Sequence, residues 1–183
     1  MESNTSMTYV ELGLRLSLVG VFLASGLAKA RTIDDVVLMW TRLFERVWPA
    51  KKGWAPQSAW GLVVVEVTTG IALLFQGTTR VFSLLLAVGL LAGFTVLALF
   101  SARNLIKLHC ACFGRASTPL GWRHVWRNST LLAFGGTALF LAPDNAGKAL
   151  NVGGVGVSVA AAVVVTLIAF FYDEITDLLS GNW

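Results

Sequence analysis

The chain has 183 residues, of which 56% are hydrophobic and only 13% charged, and it carries a formal net charge of +4. A soluble domain of this length holds about a quarter charged residues, so the mean hydropathy of +0.72 excludes an ordinary soluble protein and points to the membrane. The basic residues fall mainly in the connections between apolar runs, where they set topology and meet lipid headgroups. No basic stripe interleaved with aromatics is present, so nucleic-acid binding is not expected.

In chain order, the N-terminus MESNTSMTYVELGLR has no basic n-region ahead of its apolar run, so the first span is expected to be retained rather than cleaved. That span covers residues 9–30, close to the ~20 residues a helix needs to cross the hydrocarbon core. Residues 31–58 are mixed. Within them Ile33, Val36, Val37, Trp40, Leu43, Phe44 and Val47 recur at helical spacing among Asp34, Asp35, Arg42, Glu45 and Arg46. This pattern predicts an amphipathic helix at the membrane interface or capping the bundle, and Trp40, Trp48, Trp54 and Trp60 suit the headgroup region.

A second span is expected over 59–75, followed by a tight turn at Gln76-Gly77-Thr78-Thr79. The third, over 80–106, contains Gly89 and Gly93, which are either a small-xxx-small pair that lets helices approach closely or ordinary glycines of a membrane helix. A segment from Lys107 to Arg123 interrupts the spans, with Pro119 and Gly121 ending helical order. A fourth span covers 124–142, a turn lies at Pro143-Asp144-Asn145, and a fifth covers 152–172 ahead of an acidic tail with Asp173, Glu174 and Asp177. Backbone groups in lipid must be satisfied within the segment, so long spans of this kind form helices. The expected architecture is an all-α integral membrane bundle in one domain, residues 1–183, with about five crossings.

Charges inside the spans stand out because a charge facing lipid is costly. At 100° per residue, Glu11, Arg15, Phe22, Gly26 and Lys29 share one narrow face of the first span, and Glu11 and Arg15 form an i,i+4 pair in the favoured order. Glu66 sits well inside the second span and needs a cationic partner, for which Lys29 and Arg15 are the candidates. Such residues either pair to hold helices together or line a site for a polar head such as a quinone ring.

The two cysteines, Cys110 and Cys112, lie in the stretch HCACFG. As a dithiol, a Cys-x-Cys pair closes a small ring that departs from relaxed disulfide geometry, and strain raises the potential and favours exchange. A bridge between near neighbours also restricts little chain entropy, which makes a purely structural role a poor fit. His109 is adjacent, and Lys107, Arg115 and His124 are close in sequence, a neighbourhood that favours thiolate. Gly114 leaves room for a partner's backbone, and Phe113 is placed to anchor the loop. Two other readings remain open: soft-metal binding by His109, Cys110, Cys112 and His124, whose spacing matches no standard zinc pattern, and two incidental small apolar residues. Redox chemistry is the preferred reading, and no metal is expected. In a different class, the chain is a non-catalytic membrane subunit or scaffold of a larger complex.

These residues resemble a known family. CACFG is similar to the Cys-x-Cys-Phe-Gly signature of the methylamine-utilisation MauE family, within the wider DoxX-like membrane proteins. Arg15, Phe22, Ser25-Gly26 and Lys29 resemble the DoxX-type opening span, Glu66 and Gly70 its second span, and Arg127-Asn128 the opening of the span after the cysteines. The resemblance covers residues 9–142 and implies a four-helix DoxX-like core, to which the span at 152–172 is added. It further implies disulfide handling in the bacterial cytoplasmic membrane with a thioredoxin-fold partner, in which Cys110 and Cys112 exchange with that partner and electrons pass to or from a quinone contacted by Glu66, Lys29 and Arg127.

Five crossings place the connection after the first span and the cysteine segment on one side, with about eleven Lys and Arg residues there against three on the other. The positive-inside rule reads that side as cytoplasmic. Thiol chemistry argues for the opposite, since cytosolic disulfides are uncommon, and the expectation adopted is an extracytoplasmic Cys-x-Cys.

Overall fold

The computed structural model describes residues 2–103, 121–142 and 151–180. Every regular element among them is a helix: α1 (Glu2–Arg31), α2 (Ile33–Val47), α3 (Ala55–Ala72), α4 (Thr78–Ala102), α5 (Trp122–Leu141), α6 (Val152–Phe170) and α7 (Tyr172–Ser180), with a 3-10 segment, Pro49–Trp54, between α2 and α3. Among the described residues, three helices are long and apolar enough to cross a membrane, over Ser6–Arg31, Thr79–Ala102 and Val152–Phe170. α3 and α5 run through the bundle beside them, and their polar residues (Glu66 in α3; His124, Arg127 and Asn128 in α5) are turned inward and buried.

α1 is the centre of the bundle and packs against α3, α5 and α6. Its neighbours can be placed from where side chains are missing. A Cβ at Gly26 would lie 2.7 Å from Val67 Cγ2, and one at Gly70 would lie 2.9 Å from Leu23 Cδ2. As one helix number rises the other falls, so α3 is antiparallel to α1. Gly13 faces Ser158 and Gly20 faces Thr166, so α6 runs parallel to α1. Gly135 of α5 faces Val88 of α4, while Arg80 donates to the Ala142 carbonyl, which makes α4 and α5 an antiparallel pair. Small residues at these crossings let backbones approach and give dispersion contacts that lipid cannot supply equally well.

The apolar core between these helices is formed by Leu18, Val21, Phe22, Leu73, Leu84, Ala87, Leu91, Leu131 and Ala138. α2 has a separate small core. Val36 and Met39 are buried against Ala59 of α3 and Ala98 of α4, with Ile33, Val37, Trp40 and Leu43 packed around them. The amphipathic helix expected over 31–58 therefore caps the bundle through its apolar face, and Met39 joins the residues its periodicity singled out. Trp48, Trp54 and Trp60 are more than half exposed, and Lys51 lies over the rings of Trp48 and Trp54. Lys52 pairs with Glu45 at 2.5 Å on the exposed side.

Two expectations are revised. Gly89 and Gly93 are exposed, with nothing within 4 Å of a Cβ built on either, so the close crossings use other glycines. The acidic tail begins as helix α7, set off from α6 by a bend at Phe171. α4 ends at Ala102, and residues 104–106 of the expected third span lie outside the described residues. The turn before α4 is where expected: Gly77 has φ of 80°, a conformation open to glycine because it lacks a Cβ. The Pro143-Asp144-Asn145 turn lies outside the described residues.

Gly26→Leu should force α1 and α3 apart and lower stability by ~1–3 kcal/mol, the usual cost of overpacking. For a chain of this size that is a fall in Tm of roughly 2–4 °C per kcal/mol. Gly93→Leu, on the open face of α4, should leave Tm unchanged; thermal denaturation in detergent, followed by tryptophan fluorescence, compares the two.

Candidate functional site

The interior polar residues form two groups at opposite ends of α1. Near its C-terminal end, Lys29 Nζ lies 2.6 Å from Glu66 Oε1, and both side chains are essentially inaccessible. Lys29 also donates to Ser25 Oγ at 2.6 Å, Ser25 Oγ donates to Glu66 Oε2 at 3.4 Å, and the ammonium sits 4.9 Å from the centre of the Phe94 ring. Each partner's charge is thus met by an opposite charge, a hydroxyl and, for the lysine, an aromatic face. Lys29, rather than Arg15, is the partner that Glu66 requires. Gly26 makes the pair possible: with no side chain there, α1 comes close enough for Lys29 and Ser25 to reach Glu66 across the crossing.

A cavity of about 30 Å³ opens beside this pair, bordered by Phe22, Ser25, Lys29, Glu66, Phe94, Arg127 and Asn128 among others. That volume accommodates about one or two water molecules and is far below the size of a ligand pocket. Arg127 and Asn128, both buried, come from the second turn of α5. Arg127 also borders a larger groove of about 220 Å³ between α5 and α6, whose other walls are Thr130, Leu131, Phe134, Val165, Ile168, Ala169 and Tyr172. Arg127 therefore stands between a small cavity beside the Lys29–Glu66 pair and a broad apolar groove.

On its outer side Arg127 NH1 lies 3.6 Å from Asp173 Oδ2, and the same oxygen is 3.6 Å from His124 Nε2. The Gly121 N–H donates to His124 Nδ1 at 3.5 Å. Sequence reasoning assigned Asp173 to a tail; its place beside Arg127 depends on α6 running parallel to α1 and on the bend that follows, and no local pattern signals either.

The second group lies near the N-terminal end of α1. Glu11 is paired with Arg15 at 3.5 Å and Arg80 at 3.8 Å, and all three side chains are buried. Arg15 also donates to the Phe75 carbonyl just beyond α3, at 3.2 Å, and Arg80 donates to the Ala142 carbonyl at the end of α5. The C-terminal end of a helix carries roughly half a negative charge, so two helix ends and one carboxylate together offset two guanidinium groups. This cluster ties α1, α3, α4 and α5 together. The face predicted for the first span, Glu11, Arg15, Phe22, Gly26 and Lys29, is wholly interior, yet its two ends serve separate clusters. Arg80 was not anticipated; its position three residues after the Gly77 turn is the local signal that it caps a neighbouring helix.

His109, Cys110, Cys112, Phe113 and Gly114 lie outside the described residues. The described residues that flank them are Arg103, at the end of α4, and Gly121, ahead of α5. Both attachment points are at the end of the bundle that holds the Lys29–Glu66 pair. Among the described residues no group of three or more His, Cys, Asp or Glu side chains is arranged to hold a metal ion.

A polytopic helical membrane protein with a charged pair buried between its first helices is the class the fold defines. The family model for methylamine utilisation protein MauE matches residues 7–141, and the chain belongs to that family. No curated protein and no solved structure matches the chain.

Removing one member of a buried ion pair leaves an uncompensated charge and costs ~3–5 kcal/mol, whereas an apolar replacement of both is far better tolerated. Lys29→Met and Glu66→Leu should each cause severe destabilisation, and the double variant should regain most of the lost stability. A double-mutant cycle of thermal or denaturant unfolding in detergent measures the coupling.

Proposed function

We propose that this MauE-family protein is a thiol–disulfide oxidoreductase of the bacterial cytoplasmic membrane, in which Cys110 and Cys112 exchange electrons between a thioredoxin-fold partner and a membrane quinone. The observation that carries the reading is a juxtaposition. The segment bearing the only two cysteines is attached at the end of the bundle where Lys29, Glu66, Arg127, Asn128 and His124 are gathered, with an apolar groove reaching Arg127 from the lipid side.

The chemistry balances without a further carrier. Closing the Cys110–Cys112 disulfide releases two electrons and two protons, and a quinone takes up two of each to become a quinol; the reverse flow balances equally. Exchange with the partner proceeds by thiolate attack on a disulfide sulfur through a mixed disulfide. The cavity beside Lys29 and Glu66 is too small for a quinone ring, so the head approaches Arg127 through the groove between α5 and α6, with its tail in lipid. Lys29 and Glu66 stand behind Arg127 as the polar groups that set its surroundings.

With five crossings, the cysteine segment shares its side with α2. Several cations counted on that side are neutralised by partners: Lys29 by Glu66, Arg127 by Asp173 and Lys52 by Glu45. Such pairing leaves the positive-inside count unchanged, because that rule counts Lys and Arg rather than net charge; we set thiol chemistry above it and infer that the cysteines lie outside, where disulfides persist.

In intact cells a membrane-impermeant maleimide should label Cys110 and Cys112 after reduction. In purified protein the pair should titrate as a two-electron couple, ~30 mV per tenfold change in the thiol–disulfide ratio, and be oxidised by a water-soluble quinone. Cys110→Ser together with Cys112→Ser should abolish mixed-disulfide trapping. A double variant that retains both its activity and its complexes in cells would instead establish a scaffolding subunit.

A further inference from the structure

The described tryptophans all lie at one end of the bundle. Trp40 belongs to α2, Trp48 and Trp54 lie at the two ends of the 3-10 segment, Trp60 is in the second turn of α3, and Trp122 and Trp126 are in the first two turns of α5. Ala59 of α3 and Val125 of α5 both pack into the α2 core, so the first turns of α3 and α5 stand beside α2. Trp40 is packed in that core, whereas Trp48, Trp54, Trp60, Trp122 and Trp126 are each more than half exposed. A spanning protein ordinarily carries such aromatics at both interfaces. Their gathering at one end calls for a reason particular to that end.

α3 has 18 residues, about 27 Å at 1.5 Å per residue, close to the ~30 Å of the hydrocarbon core. Its outward residues Trp60, Val64 and Ile71 are exposed and apolar, as a lipid-facing surface requires. Trp54, the residue before α3, therefore stands where hydrocarbon meets headgroups. The chain leading to it is basic: Arg42, Arg46, Lys51 and Lys52 against a single carboxylate, Glu45, which pairs with Lys52. Lys51 Nζ instead lies 5.0 Å from the centre of the Trp48 ring and 5.9 Å from that of Trp54. Ring faces attract the ammonium but offer it no oxygen, so its N–H donors keep their capacity for phosphate oxygens. A lysine already steadied by two rings loses less side-chain freedom when it binds.

We propose that Trp48, Lys51 and Trp54, with Lys52 beside them, form a site for the phosphate of an anionic phospholipid in the leaflet at this end of the bundle. The indoles seat in the headgroup layer and Lys51 meets the phosphate. The excess of cations over carboxylates in this stretch selects an anionic lipid over a zwitterionic one. A soluble acidic protein would meet the same charges but would leave the lipid-level indoles unexplained. α2 is seated on the bundle through Val36 and Met39, which holds the segment at this depth. The site is independent of any thiol chemistry at Cys110 and Cys112.

The full-length protein in phosphatidylcholine–phosphatidylglycerol vesicles tests this through tryptophan quenching by lipids brominated near the head of the acyl chain. At equal mole fraction, brominated phosphatidylglycerol should quench more than brominated phosphatidylcholine. Lys51→Gln with Lys52→Gln should remove the excess, the preference for phosphatidylglycerol falling about fivefold for each charge removed. Lys51→Arg with Lys52→Arg should keep it. Both lysines are exposed, so these variants should retain the Tm of the unaltered protein in detergent. Trp48→Phe with Trp54→Phe should lower the fraction of fluorescence that either lipid quenches. Equal quenching by the two lipids in the unaltered protein would overturn the proposal, as would an excess that survives Lys51→Gln with Lys52→Gln. A quenched fraction indifferent to Trp48→Phe with Trp54→Phe would put the segment in water, open to a soluble acidic protein, and would overturn it too.

Discussion

The structure depends on the ion pair between Lys29 and Glu66. Desolvating two charges costs several kcal/mol per ion, and in hydrocarbon the charges have no water to fall back on. The cost is met only if the two groups touch and their remaining hydrogen-bonding capacity is used, which is what Ser25 and Phe94 provide. One register of α1 against α3 satisfies this, and Gly26 and Gly70 are the residues that permit that register at close approach. Phe94 brings α4 to the same point, and Arg127 and Asn128 bring α5. The pair thus acts less as a source of net stability than as the condition that selects one arrangement of helices from many with equally apolar faces.

The bundle holds a buried charged group toward each end of α1, with an apolar layer of Leu18, Phe22, Leu84, Leu91 and Leu131 between them. At the first, Glu11, Arg15 and Arg80 bind one another and the carboxyl ends of two helices. At the second, an interior charged pair, a small cavity, an arginine at the head of a lipid-facing groove and a histidine at the root of the cysteine segment lie together. The same kinds of residue thus sit in different surroundings at the two ends of α1.

The C-terminal segment lies outside the family match and yet belongs to the same packing. α6 lies along α1, where Gly13 and Gly20 accommodate Ser158 and Thr166, while Ser158 donates to the Tyr9 carbonyl and Tyr9 Oη accepts from the Asn151 N–H. α7 then returns a carboxylate to α5. Residues beyond the family match thus contribute to the polar end of the bundle.

Apolar run lengths and helical periodicity in the sequence were enough to establish an all-helical membrane protein, the amphipathic α2, the Gly77 turn and the inward face of α1, because these follow from local spacing and from the cost of exposing charge or backbone to lipid. They also narrowed the partner of Glu66 to two residues. What only tertiary structure decided was the choice of Lys29 over Arg15, the separation of one charged stripe into two clusters, and the placing of Arg80 and Asp173. Gly89 and Gly93 show the reason. Spacing reveals which residues can share a face of one helix, but whether that face meets a neighbour or lipid depends on how several helices stack, and interactions between residues distant in the chain settle that.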